Sequence, residues 1–125
     1  MILGLGIDLV ENSRIARSLE KFGDKFLARI LTESEMAYCK GHKDPAPFAA
    51  ARFAAKEAVS KAFGTGIGPE LGWHDIEIGR RPSGEPFVTL HGKGDALLKE
   101  RGAQKVHVSI THTQSHSAAV ALLES

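Results

Sequence analysis

The sequence predicts a mixed α and β fold, held in one small domain that takes in all 125 residues. Three observations predict it. The chain is 42% hydrophobic, enough for a core, though a small one. An alanine-rich run near its middle reads as a long helix. Apolar, partly β-branched stretches at both ends, with another pair around Pro82-Ser83-Gly84, read as strands.

In chain order, residues 1–10 form an apolar strand, expected to be buried, that ends around Asp8. Asn12 or Ser13 can cap the helix that follows. There Ile15, Leu19, Phe22, Phe26 and Ile30 recur at helical spacing, and Gly23 breaks the run. Thr32-Glu33-Ser34-Glu35 matches a capping box and starts a short helix. Residues 41–47 read as a loop. The long helix spans 48–63, and the glycines at 64, 66 and 68, with Pro69, stop it. Strands are expected at 73–78 and 86–90, a short helix at 93–101, and a closing pair of strands at 106–111 and 117–123.

Composition excludes several classes. A net charge of +1 demands neither nucleic acid nor a membrane surface. The lone Cys39 excludes an intramolecular disulfide and fits a reducing compartment. The apolar opening contains Asp8 and is too short to span a bilayer. It also lacks a basic start and a cleavage site, so a cytoplasmic location is expected. No Walker loop occurs, and the glycine pattern at Gly4 and Gly6 does not continue into a dinucleotide fingerprint. His107 and His112 are an odd interval apart, which aims them to opposite faces of a strand and speaks against a zinc site.

Three side chains stand out. Glu57 and Lys61 lie four apart on one helix face, about 6 Å from one another, with Phe53 on the same face. Asp8 puts a carboxylate near the end of an apolar strand, which is unfavourable unless it is solvated, paired or metal-bound. Each has an ordinary reading alone: a surface ion pair, and a turn residue. Together the two carboxylates are hard oxygen ligands on two rigid elements. Magnesium takes one or two such carboxylates, and otherwise waters and substrate phosphate. Lys61 could neutralise phosphate from the same face. His112, between Thr111 and Thr113 at a strand end, could reach a phosphate too.

The separated pieces match one family. Gly6-Ile7-Asp8-Leu9-Val10 is similar to its first motif. Phe53-Ala54-Ala55-Lys56-Glu57-Ala58-Val59-Ser60-Lys61 carries its second, continued by Ala62-Phe63-Gly64-Thr65-Gly66-Ile67-Gly68. Val108-Ser109-Ile110-Thr111-His112 looks like the third, and Ser83-Gly84-Glu85-Pro86 like a turn before a family strand. The chain thus resembles the short bacterial holo-(acyl-carrier-protein) synthases of the 4′-phosphopantetheinyl transferase superfamily.

The resemblance implies an antiparallel sheet packed with one long helix, and a homotrimer with active sites between subunits. It implies transfer of 4′-phosphopantetheine from coenzyme A to a serine of apo-acyl carrier protein, in support of fatty acid biosynthesis. Asp8 and Glu57 would hold Mg2+, and Lys61 would complete the catalytic set. Lys61, Gly64, Gly84, Pro86, His112 and Thr113 would meet coenzyme A. Arg14, Arg17, Lys21, Lys25 and Arg29 step by three or four. On a helix they would form a basic stripe, suited to an acidic carrier protein. Phe22 and Phe26, interspersed with that stripe, are expected in the core.

Overall fold

The computed structural model describes all 125 residues. It opens on strand β1 (Ile2–Glu11), then helices α1 (Asn12–Phe22), α2 (Asp24–Ile30), α3 (Glu33–Lys40) and the long α4 (Ala46–Ala62). A 3-10 turn (Trp73–Asp75), the hairpin β2 (Ile76–Arg80) and β3 (Pro86–Leu90), helix α5 (Lys93–Glu100), and strands β4 (Lys105–His112) and β5 (His116–Glu124) complete it. The terminal strands form an antiparallel sheet in the order β1-β5-β4, and β2 pairs only with β3. The expected α+β class, antiparallel sheet and long helix are all present.

One face of the three-stranded sheet receives α4. Gly4, Gly6, Asp8 and Val10 of β1 point that way, opposite Leu123, Ala121, Ala119 and Ser117 of β5. The glycines let the two backbones touch. A Cβ on Gly6 would lie 2.0 Å from the Ala58 carbonyl oxygen, and one on Gly4 2.0 Å from that of Ala62. The helix meets the sheet through small side chains as well, since Ala50, Ala54, Ala55 and Ala58 are fully buried. Alanine here serves close packing as much as helix propensity.

α4 is fastened on its other side by a buried cation. Lys56 has no exposed surface. Its ammonium donates to Glu35 Oε1 at 2.6 Å, to Ile30 O at 2.8 Å and to Trp73 O at 3.0 Å, which satisfies all three protons. The Glu35 carboxylate also accepts from the backbone N–H groups of Thr32 and Ile78, closing the expected capping box of α3. Burial pulls the Lys56 pKa down, and Glu35 opposes that pull. Nearby, Glu77 accepts from the Thr32 and Ser34 hydroxyls and pairs with His91, bonds that hold its carboxyl down at about 2.

Several expectations change. β1 is not buried on both faces: Leu5, Ile7 and Leu9 are 65%, 68% and 66% exposed. Only the glycine–aspartate face is covered. Neither Asn12 nor Ser13 caps α1, whose N-cap is Glu11 without a side-chain bond. α4 begins at Ala46, before the expected start, because Pro45 and Pro47 fit a helix's opening turn. Residues 73–75 are a 3-10 turn, stabilised where Asp75 accepts from the Gly72 N–H, so that strand starts at Ile76. Gly23 does break the helical run, at φ 61°. Phe22, just before it, is 54% exposed rather than in the core.

Replacing Lys56 by methionine leaves the Glu35 charge buried without its partner. Urea denaturation should show a loss of about 3–5 kcal/mol, the range for breaking a buried pair from one side. A loss below about 1 kcal/mol would mean that the clamp does not hold α4.

Candidate active site

The backbone contact between Gly6 and Ala58 brings the next residues together. Asp8 follows Gly6 on the same face of β1, and Glu57 precedes Ala58 on α4. Lys61, one turn beyond Glu57, reaches across. Its ammonium donates to Asp8 Oδ1 at 2.9 Å and to Ile7 O at 3.1 Å. The Lys61 side chain is half exposed, so this pair contributes little to stability, about 0–1 kcal/mol, and can be exchanged for other partners.

Glu57 takes no part in that ion pair. Burial raises its pKa first, and the Asp8 charge raises it further, while Lys61 and Arg14 pull it down. Asp8 and Glu57 are therefore close enough to repel. A divalent cation between them would relieve that repulsion. No group of three or more His, Cys, Asp or Glu side chains is placed to hold a metal ion by itself. A cation on this carboxylate pair would need oxygens from water and substrate, the habit of Mg2+ and phosphate. The residues present fit such an ion.

A second feature lies on the same side of the sheet, towards β4. A cleft of about 260 Å3 is lined by Phe48, Arg52, Arg80, Gly84, Pro86 and His112, among others. Arg52 is buried, yet its Nε has no partner. One of its terminal nitrogens donates to Phe48 O at 3.2 Å, and the guanidinium lies over the Tyr38 ring. Arg80 donates to the Tyr38 hydroxyl. Two guanidiniums and a histidine, beside apolar Pro86 and Ile110, suit an anion attached to a flat apolar group.

The model of the 4′-phosphopantetheinyl transferase superfamily matches residues 4–121. The chain belongs to this superfamily. It is 48% identical to a holo-[acyl-carrier-protein] synthase of Maridesulfovibrio salexigens, over 99% of each chain. The holo-[acyl-carrier-protein] synthase from Neisseria meningitidis superposes with a TM-score of 0.94 at 36% identity, over 100% of both chains. The Helicobacter pylori holo-[acyl-carrier-protein] synthase, solved in complex with coenzyme A, gives 0.86 at 37% identity, over 96% of this chain and 99% of that one.

Within this superfamily member, the sequence-derived site residues do not all come together. Lys61 bonds Asp8, and Glu57 lies near enough to feel the Asp8 charge. Gly84, Pro86 and His112 meet in the cleft, whose lining includes neither Gly64 nor Thr113. Gly64 closes the end of α4 at φ 79°, its N–H donating to Lys61 O. Thr113 starts the turn between β4 and β5. The basic stripe is split by Gly23: Arg14, Arg17 and Lys21 lie on α1, Lys25 and Arg29 on α2. Arg14 and Arg17 line a hollow of about 240 Å3 with Glu11 and His116, and Lys21 lies over the exposed Phe22 ring.

Arg52, Arg80, Phe48 and His116 were not singled out by sequence. None carried a local signal: Arg52, the one arginine of α4, reads as an ordinary helix residue. Replacing Asp8 by asparagine removes one of the two causes that raise Glu57. Carboxyl NMR titration of the Asp8→Asn variant should show the Glu57 pKa moving down, with burial leaving part of the rise. An unchanged Glu57 titration would mean that the two carboxylates do not share a site.

Proposed function

We propose that this protein transfers the 4′-phosphopantetheine group from coenzyme A to a serine of apo-acyl carrier protein, releasing adenosine 3′,5′-bisphosphate. The observation that carries the reading is the meeting of Asp8, Glu57 and Lys61 on two rigid elements, in a chain so closely similar to holo-(acyl-carrier-protein) synthases. Phosphoryl transfer needs mainly positioning and charge neutralisation. Asp8 and Glu57 would hold Mg2+, which when bound would offset the pyrophosphate charge. Lys61 would let go of Asp8 and turn to a phosphate oxygen, a move its weak, half-exposed ion pair permits.

The cleft suits the nucleotide end of coenzyme A. Arg52, Arg80 and His112 would neutralise its phosphate, and the apolar wall of Pro86 and Ile110 would receive the base. Thr113 and Gly64 would flank the two ends of the bound molecule. The acidic carrier protein would dock on Arg14, Arg17, Lys21 and Lys25, with exposed Phe22 as an apolar contact among the charges. The product would serve fatty acid biosynthesis in the cytoplasm. No helix is long and apolar enough to cross a membrane.

The chain would act as a trimer, and the uncovered face of the sheet supports association between copies. Leu5, Ile7 and Leu9 of β1 and Val120 of β5 are exposed side by side, an apolar face that further copies of the chain would bury.

Mass spectrometry separates transfer from other magnesium-dependent pyrophosphate chemistry and from simple binding. Incubated with coenzyme A and Mg2+, an apo-acyl carrier protein should gain one phosphopantetheine. Glu57→Gln should require more than about tenfold more Mg2+ for half its maximal rate, since it removes a charged ligand. Hydrolysis of coenzyme A without carrier modification would overturn the proposal. A wild-type Mg2+ titration in Glu57→Gln would overturn the metal assignment.

A further inference from the structure

Two guanidiniums stand in the cleft without a carboxylate. Arg52, on α4, and Arg80, at the end of β2, both line it. Neither belongs to any ion pair of the protein. Like charges brought close repel, so such a pair needs something to hold it. Tyr38, on α3, touches both. The Arg52 guanidinium lies over the Tyr38 ring, 4.3 Å from its centroid. Arg80 donates to the Tyr38 hydroxyl, and its guanidinium carbon is 5.6 Å from the same centroid. The bond to Tyr38 is the one hydrogen bond that the Arg80 side chain makes.

Tyr38 is itself fixed. Its ring meets His42 and Phe48 edge-on, with centroids 4.9 Å and 6.0 Å away, and those two rings stack on each other at 3.6 Å. The His42 Nδ1–H donates to Tyr38 O at 3.0 Å, just past the end of α3. Arg52 has a second hold in its bond to Phe48 O, whereas Arg80 has none beyond Tyr38. A carboxylate in place of Tyr38 would also hold two cations, but it would cancel their charge. An aromatic face and one neutral acceptor order them and leave the charge for a bound anion. Every group in this arrangement belongs to one chain and lies at one cleft. It is the same whichever subunit supplies the reacting carboxylates.

We propose that Tyr38 is a positioning residue that gives the cleft its preference for a phosphate monoester: it holds Arg52 and Arg80 as an un-neutralised pair against the 3′-phosphate of coenzyme A. The inference rests on the assignment of the cleft to the nucleotide end of coenzyme A, and it names the device that selects that end. A phosphate monoester carries close to two negative charges at neutral pH, which two planar guanidiniums match in charge and in geometry. The pyrophosphate stays with the carboxylates and Lys61. The effect of Tyr38 therefore falls on the choice between coenzyme A with and without its 3′-phosphate. The carrier protein, the metal and the chemical step are outside its reach.

Two variants test this. Tyr38→Leu removes both the ring and the hydroxyl. Tyr38→Phe keeps the ring under Arg52 and its packing on His42 and Phe48, and releases only Arg80. Each is assayed with coenzyme A and with coenzyme A lacking the 3′-phosphate. Tyr38→Leu should raise the KM for coenzyme A about tenfold, as suits loss of a cation–π contact and a charge-assisted hydrogen bond. The KM for the form without the 3′-phosphate, the KM for the carrier protein, kcat and the Mg2+ for half-maximal rate should stay within about twofold. Tyr38→Phe should fall between, with a rise of about threefold for coenzyme A alone. By calorimetry, the same losses should appear for adenosine 3′,5′-bisphosphate and not for adenosine 5′-monophosphate. A merely structural role would shift both forms together. Equal shifts for the two forms, or an unchanged preference in either folded variant, would overturn the positioning role; Tyr38→Phe decides alone if Tyr38→Leu fails to fold. Should the wild-type protein modify the carrier yet treat the two forms alike, the transfer reading stands, and the cleft assignment falls together with the role of Tyr38. Should it modify no carrier while its preference for the bisphosphate still follows Tyr38, the transfer reading fails and the role of Tyr38 stands.

Discussion

A strand and a helix touch backbone to backbone in this protein, and the site follows from that contact. Gly4 and Gly6 present no side chains to α4, and any Cβ there would collide with the carbonyls of Ala62 and Ala58. Only such an approach lets Asp8 and Glu57, each next to a contact residue or one strand repeat beyond it, share a space where their charges repel. The repulsion is unfavourable in the free protein, and a divalent cation bound there would relieve it. The glycines thus belong to the site although they carry no chemistry.

Helix α4 divides its labour by face. Glu57 and Lys61 look towards β1, and Arg52 towards the cleft. Lys56 points into the interior, where Glu35 and two carbonyls satisfy it fully. Adjacent residues Lys56 and Glu57 therefore have opposite fates. One is a buried anchor that fixes the helix against α3 and the 3-10 turn, and the other is a half-buried carboxylate that takes no part in an ion pair. A helix rigidly held on one side can present charged groups at a fixed spacing on the other.

The class of fold and the Glu57–Lys61 spacing were legible in the sequence because they follow local rules. Helical spacing joins Glu57 to Lys61, glycine ends α4, and a capping box opens α3. What sequence missed depends on contacts distant in the chain. The apolar run of β1 reads as fully buried, yet half of it is exposed, because period-two alternation is hidden where glycine and aspartate make up the covered face. Asn12 reads as a helix cap from its position, but a turn a hundred residues away claims its side chain. Arg52 looks like an ordinary helix residue until β2, β3 and β4 close a cleft around it. Phe22 looks like core by its helical spacing, yet the helix break at Gly23, itself legible, leaves the ring exposed.

Locating the metal tests the account most directly. Crystals soaked with Mn2+ and coenzyme A, measured near the manganese absorption edge, would show the ion by anomalous scattering. The account predicts one peak per active site, about 2.0–2.5 Å from an oxygen of Asp8 and from an oxygen of Glu57, with its other ligands from water and the pyrophosphate. A peak held by only one of these carboxylates, or one elsewhere in the protein, would contradict it.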